Sequence, residues 1–236
     1  MSAVAAPPRR LPVGAEKLED GSIHFRVWAP KCREVTVVAS CASGEWKSIP
    51  LTAEADGYFS GSNLGLEPGL RYGMRLDDHS RIYPDPASRF QPDGPDGLSQ
   101  LVDDSSFAWS DHHWHGLAPV GQVVYEMHIG TFTPQGTWAA AAEQLPERAR
   151  CGMTVLEIMP VADFPGEFGW GYDGVCHFAP TRLYRTPDDF RRFVDRAHAL
   201  GLGVILDVVY NHFGPSGNWL PQFSDYYTTK KYDNEW

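Results

Sequence analysis

The sequence predicts two domains of different class: a small β-sandwich, then alternating strands and helices that build a parallel sheet. Three observations predict this. Short alternating strands between turn residues fill the chain from Gly14 to about Val102. Longer strand and helix patterns alternate from Val120 onward. Finally, the apolar run Val204-Ile205-Leu206 leads directly into Asp207-Val208-Val209-Tyr210-Asn211-His212. That run reads as a buried strand whose polar residues emerge at its C-terminal end, where barrels of strands and helices carry their chemistry.

The elements follow in order. Residues 1–13 are rich in Ala and Pro and are expected to be disordered. Ile23-His24-Phe25-Arg26-Val27-Trp28 alternates as a half-buried strand does, and Trp28 is read as core. Val35-Thr36-Val37-Val38 is a second strand, and the stretches Ala55 to Phe59 and Leu70 to Leu76 supply a turn and further strands. Residues 14–105 form the sandwich in this reading, and 106–119 form a linker. Tyr83 to Ser99 holds four Pro and two Gly, an irregular stretch of the kind that connects or recognises something.

Residues 120–236 are read as an incomplete strand-and-helix domain. Val123 to Ile129 and Val155 to Met159 are strands. Trp138 to Arg150 is helical, with Pro146 starting a second helical piece. The clearest helix begins at Thr186 as N-cap, with Pro187 in its first position and Asp188 and Asp189 at its positive end. Phe190, Phe193, Val194, Ala197 and Leu200 share one face, and Gly201 ends the helix. The third strand, Gly203 to Val209, follows at once. This order implies parallel strands joined by right-handed crossovers.

Composition excludes several functions. With 20 basic against 30 acidic residues and a net charge of −10, the chain lacks the basic footprint of a nucleic-acid binder and suits a neutral ligand. Cys32, Cys41, Cys151 and Cys176 form no Cys-x-x-Cys pair, so no zinc or redox site is expected. No leader peptide or membrane span is recognised. The expected setting is cytoplasmic, with free thiols and no membrane partner.

The second part resembles the α-amylase superfamily of glycoside hydrolases. The motifs are Val124 to Gly130, Glu157-Ile158-Met159-Pro160-Val161, Gly169-Trp170-Gly171-Tyr172-Asp173, and Asp207 to His212. The resemblance implies a TIM (β/α)8 barrel preceded by an immunoglobulin-like carbohydrate-module domain. Pro84 to Gly94, Gly130 to Thr137 and Asn211 to Asn218 resemble the malto-oligosyltrehalose trehalohydrolases, which cleave the α-1,4 bond next to a terminal trehalose and release trehalose. The implied ligand is a malto-oligosaccharide with terminal trehalose. Glycogen-branching enzymes share the domain order and remain an alternative, as does a carbohydrate-binding fragment without catalysis.

The same resemblance assigns roles at the substrate site. Asp207 organises the site, His212 donates a hydrogen bond to the sugar, and Tyr172 stacks on it. Trp170 is counted with them. Asp173 either holds the loop or touches the sugar. Asn211 matches a calcium ligand of many α-amylases, but one Asn is far short of a calcium shell, so neither metal nor cofactor is expected. A barrel needs about 250 residues, and only about half of that follows Gly121. No residue is therefore assigned as nucleophile or acid/base. The isolated chain is expected to lack hydrolase activity and to aggregate through an open sheet edge.

Overall fold

A computed structural model describes residues 9–41 and 43–225. The disorder expected over residues 1–8 lies outside the described residues. Residues 9–13, also expected to be disordered, are held in place. Arg9 donates to the carbonyls of Leu11 and Gly14 at 3.0 and 2.8 Å. Glu16 is only 3% exposed. It accepts from the backbone N–H groups of Arg10 and Leu11. A buried carboxylate needs donors, and this segment supplies them.

The first unit is built from β1 (Gly14–Lys17), β2 (Ile23–Trp28), β3 (Val35–Ser40), β4 (Trp46–Pro50), β5 (Thr52–Ala53), β6 (Tyr58–Asn63), β7 (Arg71–Leu76), β8 (Ile82–Tyr83) and β9 (Ser99–Gln100). Two antiparallel sheets result, ordered β1-β2-β6-β5 and β4-β3-β7-β8, with β9 beside β7. Ile23, Phe25 and Val27 from one sheet meet Val37, Tyr72 and Met74 from the other in a single core. This is a β-sandwich. Trp28 is not in that core. The period of two that buries Ile23, Phe25 and Val27 turns Trp28 outward, where its indole N–H donates to the Asp56 carbonyl and its ring lies 6.5 Å from that of Tyr58.

The second unit contains β10 (Val124–Met127), α1 (Ile129–Phe132), α2 (Trp138–Arg150), β11 (Val155–Ile158), β12 (Ala162–Asp163), β13 (Cys176–Pro180), α3 (Pro187–Ala199) and β14 (Gly203–Leu206). Strands β10, β11 and β14 form a parallel sheet, ordered as written. Its register aligns Met127, Ile158 and Leu206. Met127 and Ile158 pack with Trp138, Leu145, Phe193 and Ala197 of the helices. The fold is thus a sandwich followed by the first strands and helices of a TIM barrel.

Several boundaries differ from expectation. Helix α2 runs unbroken through Pro146. The missing N–H forgoes one intrahelical bond, while Trp138, Ala141 and Leu145 before it are buried and Ala149 after it packs on the same core. Strand β14 stops at Leu206 rather than Val209, because the Asp207 N–H to the Ile158 carbonyl is its last bond to β11. Helix α3 starts as read, with a reciprocal capping box between Thr186 and Asp189.

The units also interleave along the chain. Phe90–Gly97 groups with the second unit, and the described residues from Trp219 onward group with the first. Trp219 and Phe223 place their rings 5.6 and 6.2 Å from Tyr83. The segment read as a linker is clasped to α3. Ser110 donates to Asp195, Asp111 meets His198 at 2.6 Å, and Trp114 stacks on His198 at 4.3 Å. Among the described residues no helix is long and apolar enough to cross a membrane.

Burial first, and then the Arg9 charge, lower the His24 pKa to about 4. The unfolded imidazole takes its proton near pH 6.5, so acid between about 6.5 and about 4 favours the unfolded chain. Urea unfolding should show stability falling across that window, and His24→Gln should flatten the slope. An unchanged slope in the variant would assign the acid sensitivity elsewhere.

Candidate substrate site

The parallel sheet has two chemically distinct faces. One packs on the helices. On the other, Glu126, Glu157 and Ile205 stand in register across β10, β11 and β14. Ile205 is 47% exposed, so this face is open. Asp207 follows two residues after Ile205, at the C-terminal end of β14, and is half-buried. The sequence motifs contain Glu126 and Glu157, but their shared row emerges only from the register. The alternation of Glu126 with buried Met127 was the available signal.

Tyr172 is exposed. Its hydroxyl is held above its ordinary pKa, first by desolvation and then by the charges of Asp207, Glu126 and Glu157. The Tyr172 hydroxyl thus lies within electrostatic range of Asp207. His212 joins them through its ring. The Asn211 side-chain amide donates to His212 Nδ1 at 2.8 Å. An amide nitrogen only donates, so Nδ1 accepts and the ring proton resides on Nε2. Nε2–H then donates to the Tyr172 carbonyl at 3.0 Å. His212 thereby ties the Tyr172 backbone to the segment that follows β14.

Asp173 is exposed. Its carbonyl lies where a side chain on Gly214 would fall, 2.2 Å from that Cβ position, so the two loops meet backbone to backbone. Gly171 controls the corner. It has φ +93, and a Cβ there would lie 1.8 Å from the Pro160 carbonyl oxygen. Only glycine fits. Of its two neighbours, Trp170 lines a cleft with His128 and Tyr184, and Tyr172 does not.

The loop between β12 and β13 is anchored from beneath. Arg182 meets Asp163 at 2.9 Å and also donates to the carbonyls of Phe164 and Gly166. Burial raises the Asp163 pKa, and hydrogen bonds from Thr181 and the charge of Arg182 oppose that rise. Sequence reasoning singled out neither Asp163 nor Arg182, since a pair 19 residues apart leaves no local pattern. Among the described residues there is no group of three or more His, Cys, Asp or Glu side chains arranged to hold a metal ion.

A β-sandwich ahead of parallel strands with polar residues at their C-terminal ends is the arrangement that comparison with known families also finds. Residues 81–236 match the alpha-amylase catalytic-domain family, and residues 12–88 match carbohydrate-binding module 48, the isoamylase N-terminal domain. The chain belongs to the α-amylase family.

Its relatives are more specific. The chain is 43% identical over 228 residues to a malto-oligosyltrehalose trehalohydrolase of Deinococcus radiodurans, covering 96% of this chain and 37% of that protein. It is 44% identical to the enzyme of that name from Rhizobium sp. strain M-11, covering 91% and 36%. A 1,4-alpha-glucan branching enzyme of Xanthomonas euvesicatoria is 31% identical, over 91% of this chain and 31% of its own. A crystal structure from Salmonella typhimurium, provisionally assigned as an alpha amylase, superposes with TM-score 0.89 at 44% identity, covering 95% of this chain and 38% of that one. The chain thus spans about a third of the length of these relatives.

Removing Arg182 would leave Asp163, which is fully buried, without its counter-charge. Arg182→Ala should destabilise the chain by about 3 kcal/mol. Urea unfolding would show it, and adding Asp163→Asn should recover much of the loss. A neutral Arg182→Ala would rule out the pair as the loop's anchor.

Proposed function

We propose that this chain is the N-terminal part of a malto-oligosyltrehalose trehalohydrolase, a glycoside hydrolase that cleaves the α-1,4 bond next to a terminal trehalose and releases trehalose. The observation that supports this reading most is the similarity to enzymes of that name across nearly the whole chain, at 43% and 44% identity. The site agrees with a sugar ligand. Tyr172 offers an aromatic face to the apolar side of a pyranose. Asp207 supplies an acceptor for sugar hydroxyls, and Trp170 supplies a further ring on the same loop. His212 and Asp173 hold that loop in position. The substrate we infer is a neutral malto-oligosaccharide ending in trehalose. The unpaired thiols Cys32, Cys41, Cys151 and Cys176 support a reducing, cytoplasmic setting.

Retaining hydrolysis requires a nucleophile and an acid/base, with carboxyl groups about 5 Å apart. We assign neither role to a residue of this chain, which by itself is expected to release no trehalose. The residues described here shape the cleavage subsite instead. Transfer to a sugar hydroxyl, as in a branching enzyme, is the competing reading, supported by the weaker 31% identity.

Product analysis of the full-length enzyme decides between them. Free trehalose from malto-oligosyltrehalose is expected, and new α-1,6 branches without trehalose would overturn the reading. Tyr172→Ala should lower kcat/KM by about a hundredfold through lost positioning. Tyr172→Phe keeps the ring face and should retain most of the activity. Equal losses in the two variants would argue against stacking.

A further inference from the structure

Beyond β14 the chain leaves regular structure: the strand ends at Leu206, and residues 207–219 form neither strand nor helix. This segment carries Asp207 and His212. Without a ladder of backbone bonds of its own, such a segment keeps one position only where its neighbours grip it. Strand β13 supplies a grip at His177.

The His177 ring stacks on Phe213, with centroids 4.3 Å apart and planes 18° from parallel. It also lies 5.7 Å from the Tyr210 ring. Burial lowers the pKa of the imidazole, and a hydrogen bond to the His212 backbone opposes that lowering. Nε2 is buried without a hydrogen-bond partner, so Nδ1 makes that bond. One side chain therefore meets Tyr210, His212 and Phe213, three of four consecutive residues. Phe213 packs further on Val175, Cys176 and Ala179, and the Gly214 N–H donates to the Gly174 carbonyl at 3.3 Å. The cavity that His177 lines with Asp207, Tyr210 and Gly171 measures about 30 Å³. A sugar ring does not fit there, so the imidazole acts on its protein neighbours.

Resting on the sugar-site reading above, we propose that His177 is a positioning residue: its ring clamps the segment after β14 so that Asp207 and His212 keep their places beside the Tyr172 loop. The clamp is a relay. His177 fixes Phe213 and the His212 backbone, and the His212 ring holds the Tyr172 carbonyl at 3.0 Å. His177 itself touches no substrate.

Hydrogen exchange and steady-state kinetics on the full-length enzyme test this together. His177→Ala should speed exchange of the amides of residues 208–214 by about tenfold, the loss of one ring contact. The amides of α3 should keep their wild-type rates. The same variant should lower kcat/KM for malto-oligosyltrehalose by about tenfold through misplaced groups. His177→Phe returns a flat ring opposite Phe213 and should restore most of both. Unchanged exchange at residues 208–214 in His177→Ala would overturn the clamp. Equal acceleration throughout α3 would also overturn it, because it marks general destabilisation, and so would failure of His177→Phe to rescue. Faster local exchange with unaltered kcat/KM, in an enzyme that releases trehalose, would show that the clamp does not serve the site. A wild-type enzyme that releases no trehalose overturns the trehalohydrolase reading alone, and exchange still decides the clamp.

Discussion

The loop that carries Phe168, Trp170 and Tyr172 hangs on the ion pair between Asp163 and Arg182. Asp163 is fully buried at the base of the short β12–β13 pairing, where an isolated carboxylate would be strongly disfavoured. Arg182 offsets that cost and, with its other N–H groups, collects two carbonyls of the same loop. One side chain therefore neutralises a buried charge and sets the path of the backbone. The His128 bond to Gly169 extends that restraint toward the turn, and the close approach of Gly171 to Pro160 completes it. Trp170 is thus held beside His128 in a cleft that Tyr172 does not line.

The parallel sheet places its chemistry by the same economy of position. Its helix-facing side is packed with Met127, Leu156 and Ile158, which leaves period-two partners on the other face. Glu126 and Glu157 sit side by side there, an arrangement tolerated because that face is open to solvent. Their charges reach Tyr172, whose phenol stays protonated beside them. The site is acidic and aromatic. His212 contributes by locking the tautomer that ties its loop to Tyr172.

Much of this was legible in residue order, because the physics involved is local. The Thr186 cap, Pro187 and the apolar face through Phe193 and Ala197 specify α3 within thirteen residues. Alternation specifies β2, and polar residues after Val204-Ile205-Leu206 place Asp207 at a strand end. Trp28 shows that even a correct strand reading needs its phase: the pattern named the strand, and the misread residue lay on the outward face. The ends of β14 and the continuity of α2 through Pro146 were misjudged for a related reason. Strand ends depend on how far the neighbouring strand runs, and a helix survives one lost bond when its buried face holds it.

The sequence alone therefore determined the two-part architecture, which is carried by short-range pattern, and its motifs carried the resemblance to the family. The tertiary structure decided the rest. Only packing between distant segments shows that residues 106–119 are clasped to α3, that Phe90–Gly97 groups with the second unit, and that Arg182 holds Asp163. Only the folded loop shows that Trp170 lines a cleft with His128 that Tyr172 does not line. These are contacts between residues far apart in the chain, and their energies depend on burial and distance, which residue order does not contain.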